Sequence, residues 1–378
     1  MAFIKYGSFS HINESVLNEL KKNFPDIIFD EFDLIPAKYS MDTVWSVFHA
    51  LTDHGKGILF GPKKLLATFN RTAYFFKKRR DIALKALGKE EYLFTFQTQA
   101  LFDASIPGIP HFLYTDHTHL ENLRYPGYDK RLLVENWINL EKQAYRNASL
   151  VFTMSSNISR SLVQDYGCDP SKVVCVYGGS NVSISDRHFD EERYSRKNIL
   201  FVGVDWERKG GPVLVEAFRQ VLKVHPDATL SIVGCKPELN VPNCRVMGKL
   251  DLDEVKLYLG KASVFCLPSR LEPFGIAFLE AMALKLPVVA TTIGSIPDFI
   301  HEGRNGYLVE PDNPAELANA LINLLGSEDK CRSFGEYGYS LVHERYTWTK
   351  TGRGISENIK SVLNNRDVKA RQAEKVEF

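Results

Sequence analysis

The sequence lacks the features that mark membrane-spanning, secreted or nucleic-acid-binding chains. No apolar run reaches the roughly 18 residues of a membrane span, and the N-terminus has no basic segment followed by an apolar stretch, so we expect no signal peptide. The six cysteines include no CxxC pair and predict neither a zinc site nor a disulfide framework. A formal net charge of +1 gives no overall field that would attract nucleic acid. We therefore expect a cytoplasmic protein without a nucleic-acid partner.

The order of apolar and amphipathic stretches indicates two α/β domains. A length of 378 residues exceeds what one hydrophobic core usually organises. Short apolar runs alternate with helical patterns in a βαβ rhythm, which is typical of a parallel sheet. The rhythm lapses in a charged stretch and resumes at Ile199. We predict one Rossmann-like domain over residues 1–183, a solvated linker over 184–197 and a second Rossmann-like domain over 198–352.

One segment, Pro62–Lys89, stands out for its charge. It carries nine cationic side chains against the single acidic Asp81, interleaved with aromatic residues. The favoured interpretation is a solvated helix face above a stripe of core residues. The alternative is a surface that binds an anionic membrane, which would make the protein membrane-associated.

The loop and helix that follow an apolar strand ending at Leu267 are the most informative part of the chain. Pro273 is suited to the first position of the helix. The backbone N–H groups at such a helix start, together with the helix dipole, favour a phosphate. Here those groups belong to Phe274, Gly275 and Ile276, and Gly275 has no side chain to block a close approach.

Two glutamates flank this predicted phosphate site. Glu280 lies five residues beyond Gly275, which on a helix is about 7–8 Å. That span is comparable to the distance from a diphosphate to the ribose of its nucleotide, and a carboxylate there can accept both ribose hydroxyls. Glu272, in the loop before the helix, is placed to accept hydroxyls from a sugar on the other side of the phosphates.

The stretch around Glu272 and Glu280 resembles the Glu-x7-Glu signature of retaining GT-B glycosyltransferases, specifically glycosyltransferase family 4. The resemblance implies an α/β fold of two Rossmann-like domains facing across a central cleft, with a C-terminal segment of about 353–378 returning to the first domain. Family 4 usually has a second Gly and a Glu where this chain has Ser295 and Asp298.

A second loop, after the strand that opens at Ile199, carries the adjacent cations Arg208 and Lys209. Two cations in a glycine-bearing loop can neutralise a diphosphate leaving group as its charge develops. Lys209 matches a lysine of the family, but Val204 stands where the family has an arginine. We infer that Arg208 takes the role of that arginine.

The resemblance adds residues to the predicted site. It implies that the backbone around Val246 meets the nucleotide base and that Gly7 and Ser8 form a reduced version of the family's glycine-rich loop. It also places a sugar-contacting histidine after a strand of the first domain, where His117 is the better match and His119 the second.

Asp251 and Asp253 form the DxD pattern of metal-dependent transferases, but they directly precede an amphipathic run. A helix N-cap explains Asp251 better, so we expect no metal. No other cofactor is indicated.

The resulting hypothesis is transfer of a hexose from a nucleotide diphosphate sugar, with retention of configuration, to a sugar, glycan or lipid-linked acceptor. UDP is expected ahead of GDP only because it is the commoner donor nucleotide. Two alternatives stay open. One is a GT-B-fold phosphorylase or epimerase. The other is a non-catalytic partner subunit that binds a sugar nucleotide, and it stays open because Val204 stands where the family has an arginine.

Overall fold

The computed structural model describes residues 1–7, 11–35, 45, 48–49, 71–88, 90–126, 128, 130, 134–182 and 191–374. Ser8 lies outside these residues. The chain forms two compact units. The first comprises Met1–Leu123, Asp129–Tyr177 and Thr349–Phe378, and the second comprises Arg124–Tyr128 and Gly178–Trp348.

The first unit is built on a six-stranded parallel sheet in the order β2-β1-β3-β4-β5-β6. Its strands are β1 (Ala2–Lys5), β2 (Asp30–Asp33), β3 (Thr95–Thr98), β4 (His111–Thr115), β5 (Leu150–Thr153) and β6 (Val173–Cys175). Its helices are α1 (Ile12–Asn23), α2 (Ala73–Leu87), α3 (His119–Asn122), α4 (Glu135–Asn147) and α5 (Ser156–Gln164). Strands β3, β4 and β5 are buried along their whole length, as expected for a sheet covered by helices on both faces.

The second unit has its own six-stranded parallel sheet in the order β12-β11-β10-β7-β8-β9. Its strands are β7 (Asn198–Val202), β8 (Thr229–Val233), β9 (Cys244–Gly248), β10 (Val264–Leu267), β11 (Val288–Thr291) and β12 (Gly306–Val309). Its helices are α6 (Gly211–Val224), α7 (Leu252–Lys261), α8 (Ile276–Ala283), α9 (Pro314–Leu325) and α10 (Glu328–Arg345), and the last helix, α11 (Trp348–Glu374), begins at its final residue. The α/β class and the parallel sheets predicted from the βαβ rhythm are confirmed.

The strand order of the second sheet singles out one place for a ligand. From β7 the chain moves outward to β8 and β9, and from β10 it moves outward in the other direction to β11 and β12. The loops that leave neighbouring β7 and β10 therefore diverge to opposite sides and open a crevice at their carboxyl ends. Gly203 begins the loop after β7, and Pro268 begins the loop after β10.

Helix α2 contains the described part of the basic segment. Phe75 and Phe76 are buried in a core cluster of the first unit. Arg79 is only 2% exposed and donates to a backbone carbonyl at 3.0 Å. The two phenylalanines belong to a stripe of core residues, as the favoured interpretation expects, and all three residues are unavailable to a membrane. Residues 62–70 and Lys89 lie outside the described residues.

Residues 191–196 correct the expectation of a solvated linker. They form a 3-10 helix, Glu191–Arg196, in which Arg193 is 1% and Tyr194 is 5% exposed. The Arg193 guanidinium lies 4.8 Å from the centre of the Tyr194 ring, and both side chains donate to the carbonyl of Lys285. The charged Arg193 can be buried here because its Nη2 donates to two internal oxygens, the Tyr194 hydroxyl and the carbonyl of Lys285. Residues 183–190 lie outside the described residues.

Within the described part of the chain, no helix has both the length and the apolar character needed to cross a membrane.

The first sheet carries a buried histidine that makes its stability depend on pH. His111, at the start of β4, is 1% exposed and its Nδ1 lies 2.7 Å from the Thr95 hydroxyl. Burial lowers the pKa of His111 to about 4, although the Asp103 carboxylate opposes this shift. The unfolded imidazole titrates near about 6.5. The unfolded state therefore binds the proton first, and stability is lost as the pH falls from about 6.5 towards about 4.

We predict that His111→Gln weakens this acid sensitivity. The free energy of unfolding of the wild type should fall by roughly 2 kcal/mol more than that of the variant between pH 7 and pH 4.5. Urea unfolding of both proteins at the two pH values measures the difference. Parallel losses in the two proteins would show that His111 is not the group responsible.

Candidate functional site

The loop between β10 and α8 is organised around Glu272. This carboxylate is 6% exposed and accepts from the Ser269 hydroxyl at 3.2 Å. The carbonyl of Ser269 in turn accepts from the Thr291 hydroxyl at 2.6 Å. The loop is therefore fixed to the neighbouring strand β11 before it reaches the helix.

Helix α8 begins at Ile276, three residues later than the sequence predicted. Gly275 adopts a left-handed conformation with φ of 89°, which no helical residue has, so Pro273 lies in the bend before the helix. A side chain at Gly275 would bring its Cβ to 2.9 Å from Phe278 and 3.2 Å from Glu272. The glycine thus provides both the turn and the close packing of the loop.

The start of α8 suits an anion. The first N–H groups of a helix have no partner inside it, and no described side chain caps this helix. The dipole adds a partial positive charge at the same place. Ile276 is the first helical residue, whereas Phe274 and Gly275 line the approach to it.

Lys209 places a positive charge next to the Glu272 carboxylate. Its ammonium group donates a short hydrogen bond to the Glu272 carboxylate, and the two side chains are only 11% and 7% exposed. Burial lowers the pKa of Lys209, whereas the charge of Glu272 acts against that shift. The pair lies where the loops after β7 and β10 meet.

Arg208 is held against the same loop. Its Nη1 donates to the carbonyl of Leu271 at 2.9 Å, and its own carbonyl accepts from the N–H of Arg270 at 2.9 Å. Its guanidinium lies next to the backbone that leads into Glu272. By contrast, Val204 is 72% exposed.

Tyr125 is a component of the site that the sequence did not reveal. It belongs to Arg124–Tyr128, a short segment of the second unit that is encoded between elements of the first. Its hydroxyl donates to the carbonyl of Glu272 at 3.3 Å and is buried. A side chain at Gly294 would bring its Cβ to 2.4 Å from this hydroxyl, so the glycine makes room for it. Only the fold could bring Tyr125 here, because no local motif surrounds it.

Glu280 lies on α8, half-buried, and accepts from the amide of Asn181 at 3.1 Å. Val246 lies in the edge strand β9, two strands from β7, and among the described residues no hydrogen bond or ion pair joins it to Glu272 or Lys209. The structure thus groups Arg208, Lys209 and Glu272 but leaves Val246 apart from them.

Asp251 is the N-cap of α7. It forms a capping box with Glu254, in which each side chain accepts from the backbone N–H of the other residue. This agrees with the expectation that the DxD pattern marks a helix start. Among the described residues, no group of three His, Cys, Asp or Glu side chains is arranged to hold a metal ion.

Two family models match the chain on either side of residue 190. Residues 196–327 match glycosyl transferases group 1, and residues 92–183 match glycosyltransferase family 4. The chain belongs to this glycosyltransferase family. The family and the GT-B fold expected from the glutamate motif are therefore confirmed.

Individual relatives of this family 4 chain are distant. It is 28% identical over 219 residues to an uncharacterized glycosyltransferase of Methanocaldococcus jannaschii, a match that covers 57% of this chain and 60% of the relative. In structure it resembles sucrose-phosphate synthase of Thermosynechococcus elongatus, with a TM-score of 0.71 at 17% identity, covering 96% of this chain and 99% of the other. An Anabaena protein solved with UDP and glucose gives a TM-score of 0.64 at 17% identity, covering 95% and 99%.

Ser295, where family 4 usually has a glycine, has a defined role in this chain. Its hydroxyl is buried and donates to the carbonyl of Phe274 at 2.6 Å. The departure from the family pattern thus braces the loop that precedes α8.

In the first unit of this family 4 chain, His117 follows β4 and its Nδ1 lies 2.7 Å from the Asp116 carboxylate. Burial lowers the pKa of His117, but the carboxylates of Asp116 and Glu141 together act against it, and the pKa lies above its usual value. His119 is 2% exposed inside the unit, so its ring is less accessible than that of His117. Gly7, with φ of 71°, donates its N–H to Asp33 at 2.9 Å.

We predict that Lys209 and Glu272 depend on each other for stability. Lys209→Met should lower the free energy of unfolding by roughly 3 kcal/mol, because it leaves a buried carboxylate without its cation. Adding Glu272→Met should restore most of that loss. Urea unfolding measures both variants, with Lys21→Met, which breaks the exposed pair with Glu31, as the control. A double variant as unstable as the sum of the two single ones would contradict the pairing.

Proposed function

We propose that this protein transfers a hexose from a nucleotide diphosphate sugar to an acceptor, with retention of configuration and without a metal. The observation that carries the proposal is the buried Lys209–Glu272 pair beside the start of α8, where no side chain of the described residues forms a cap. Together they provide positive groups for a diphosphate and a carboxylate for a sugar at the reversal of the strand order.

The residues have distinct roles in this proposal. The helix start at Phe274, Gly275 and Ile276, together with Arg208 and Lys209, stabilises the diphosphate as its charge grows. Glu272 accepts hydroxyls of the transferred sugar, with Lys209 holding its carboxylate in place. Glu280 accepts the ribose hydroxyls of the donor.

The proposed chemistry follows a front-face route. The bond between the anomeric carbon and the phosphate oxygen breaks while the acceptor oxygen bonds to the same face of that carbon. The proton of the acceptor hydroxyl passes to the departing phosphate oxygen, so the second product is a nucleoside diphosphate. No protein nucleophile is needed, and the protein acts by positioning and by electrostatic stabilisation.

We favour UDP over GDP as the donor nucleotide. The Anabaena structure with UDP and glucose supports this only through a shared fold. His117 is proposed as the first unit's sugar-binding residue, because the Asp116 carboxylate lies 2.7 Å from its Nδ1 and keeps the ring oriented. Val246, Gly7 and Ser8 stay predictions for the nucleotide contacts, and an anionic membrane surface stays a prediction for residues 62–70 and the exposed lysines of α2.

The first test compares the two glutamates. Glu272→Ala should lower turnover by at least about a hundredfold, whereas Glu280→Ala should chiefly weaken donor binding through lost charge-assisted hydrogen bonds of about 1.5–3 kcal/mol each. A screen of nucleotide sugars for slow donor hydrolysis, run in excess EDTA, identifies the donor and provides the assay. Glu216→Ala changes an exposed glutamate of α6 and serves as the control.

Normal kinetics in both glutamate variants would reject the site. Hydrolysis that EDTA abolishes and manganese restores would reject metal independence. Tight nucleotide-sugar binding without turnover in the wild type would favour a non-catalytic binding subunit.

The second test asks whether Arg208 replaces the arginine that the family has at Val204. Arg208→Ala should lower turnover by about a hundredfold, because one cation at the leaving group is lost. The variant Val204→Arg in the Arg208→Ala background should recover part of that loss, since Val204 is exposed beside the same loop. The measurement is turnover at saturating donor. Full activity of Arg208→Ala would show that Arg208 has no such role.

A further inference from the structure

Near Glu280, the second unit contains a chain of hydrogen bonds that the proposed mechanism does not use. Asn181 Nδ2 donates to Glu280 Oε1 at 3.1 Å, and Trp348 Nε1 donates to Asn181 Oδ1 at 3.0 Å. A carboxylate only accepts and an indole N–H only donates, so these two neighbours determine which end of the Asn181 amide faces each of them. Trp348 thereby holds the amide in the one orientation that serves Glu280.

The backbone segments that carry these hydrogen bonds are held together by close contacts. A side chain at Gly179 would bring its Cβ to 2.2 Å from the backbone nitrogen of Trp348, so this approach requires glycine. The next N–H, of Ser180, donates to the carbonyl of Tyr346 at 3.1 Å. Tyr346 is fully buried, and its hydroxyl donates to the carbonyl of Asp298 at 2.6 Å. The segment that carries Asn181 is therefore not free to drift from Trp348.

We propose that Asn181 and Trp348 are positioning residues for Glu280, holding its carboxylate ready for the ribose of the donor. This inference rests on the proposed function. A half-buried glutamate side chain without such support loses rotational freedom when it binds two hydroxyls, and that loss weakens binding. A carboxylate already held by an amide has lost that freedom beforehand. One carboxylate oxygen has more than one lone pair, so the bond from Asn181 is compatible with ribose binding.

The same residues lie beside two of the four places where the chain passes from one unit to the other. One of these two passages follows Tyr177, four residues before Asn181, and the other follows Trp348 itself. The hydrogen bonds therefore connect the proposed ribose carboxylate to the segments that make both passages.

The test measures nucleotide affinity by calorimetry. UDP and GDP are titrated into the wild type, and the tighter of the two is used with the variants. Asn181→Leu, of similar size but without polar atoms, should weaken binding by about tenfold, and Trp348→Phe, which keeps a ring but loses the N–H, by about threefold. Neither change should affect binding of the 2′,3′-dideoxy form of the same nucleotide, because that form offers Glu280 no hydroxyl. Asn323→Leu, on the exposed face of α9, is the matched control.

A cycle with Glu280→Ala separates positioning from general damage to the fold. If Asn181 acts through Glu280, Asn181→Leu should cost no further affinity once Glu280→Ala is present. An equal loss in both backgrounds, or an equal loss for the dideoxy nucleotide, would overturn the inference. So would unchanged affinity of Asn181→Leu in a protein whose wild type binds the nucleotide well. A wild type that binds neither UDP nor GDP would instead overturn the proposed function, and the inference with it.

Discussion

The ion pair between Lys209 and Glu272 is the constraint on which the rest of the candidate site depends. Both side chains are almost withdrawn from water, and either one alone would carry a large desolvation cost. The loop after β7 and the loop after β10 must therefore stay together. The Arg208 guanidinium adds a second contact between the two loops through the carbonyl of Leu271, whereas the Ser269 hydroxyl braces the Glu272 carboxylate within its own loop.

Backbone geometry allows the two loops to approach this closely. Gly210 has φ of 74° and precedes α6, and a Cβ there would lie 1.8 Å from the carbonyl of Pro268. Gly275 and Gly294 provide the same freedom on the other side of Glu272, towards Phe278 and Tyr125. The glycines of this region act through close backbone packing as well as through the turns that the sequence suggested.

The sequence predicted well wherever a local pattern decides the structure. The βαβ rhythm, the end of β10 at Leu267 and the cap at Asp251 depend on neighbouring residues, and the structure agrees with each. The predictions failed where contacts between residues far apart in the sequence determine the structure. The charge of Arg193 predicts a solvent-exposed side chain, but the guanidinium is buried, where it stacks on Tyr194 and donates to the carbonyl of Lys285.

The start of α8 shows a failure of a different kind. A proline is favoured in the first turn of a helix, so the sequence predicts that the helix begins at Pro273. Gly275 instead has a positive φ, so the helix begins only after it, and a Cβ at this position would lie 2.9 Å from Phe278, a contact that a local propensity for proline does not include. Tyr125 and Asn181 were missed for the same reason, since each reaches the site only through the fold.

The start of α8 and Glu280, which lies within the same helix, are supported by different contacts. At the start of α8, the ammonium group of Lys209 pairs with the Glu272 carboxylate, and Arg208 donates to the adjacent backbone. An electrostatic environment fixed before the reaction needs no reorganisation when a leaving group gains charge. At Glu280 one support is the amide of Asn181, which donates to a carboxylate oxygen and orients it. One carboxylate oxygen accepts more than one hydrogen bond, so this support leaves acceptor capacity at Glu280 for the hydroxyls of the ribose.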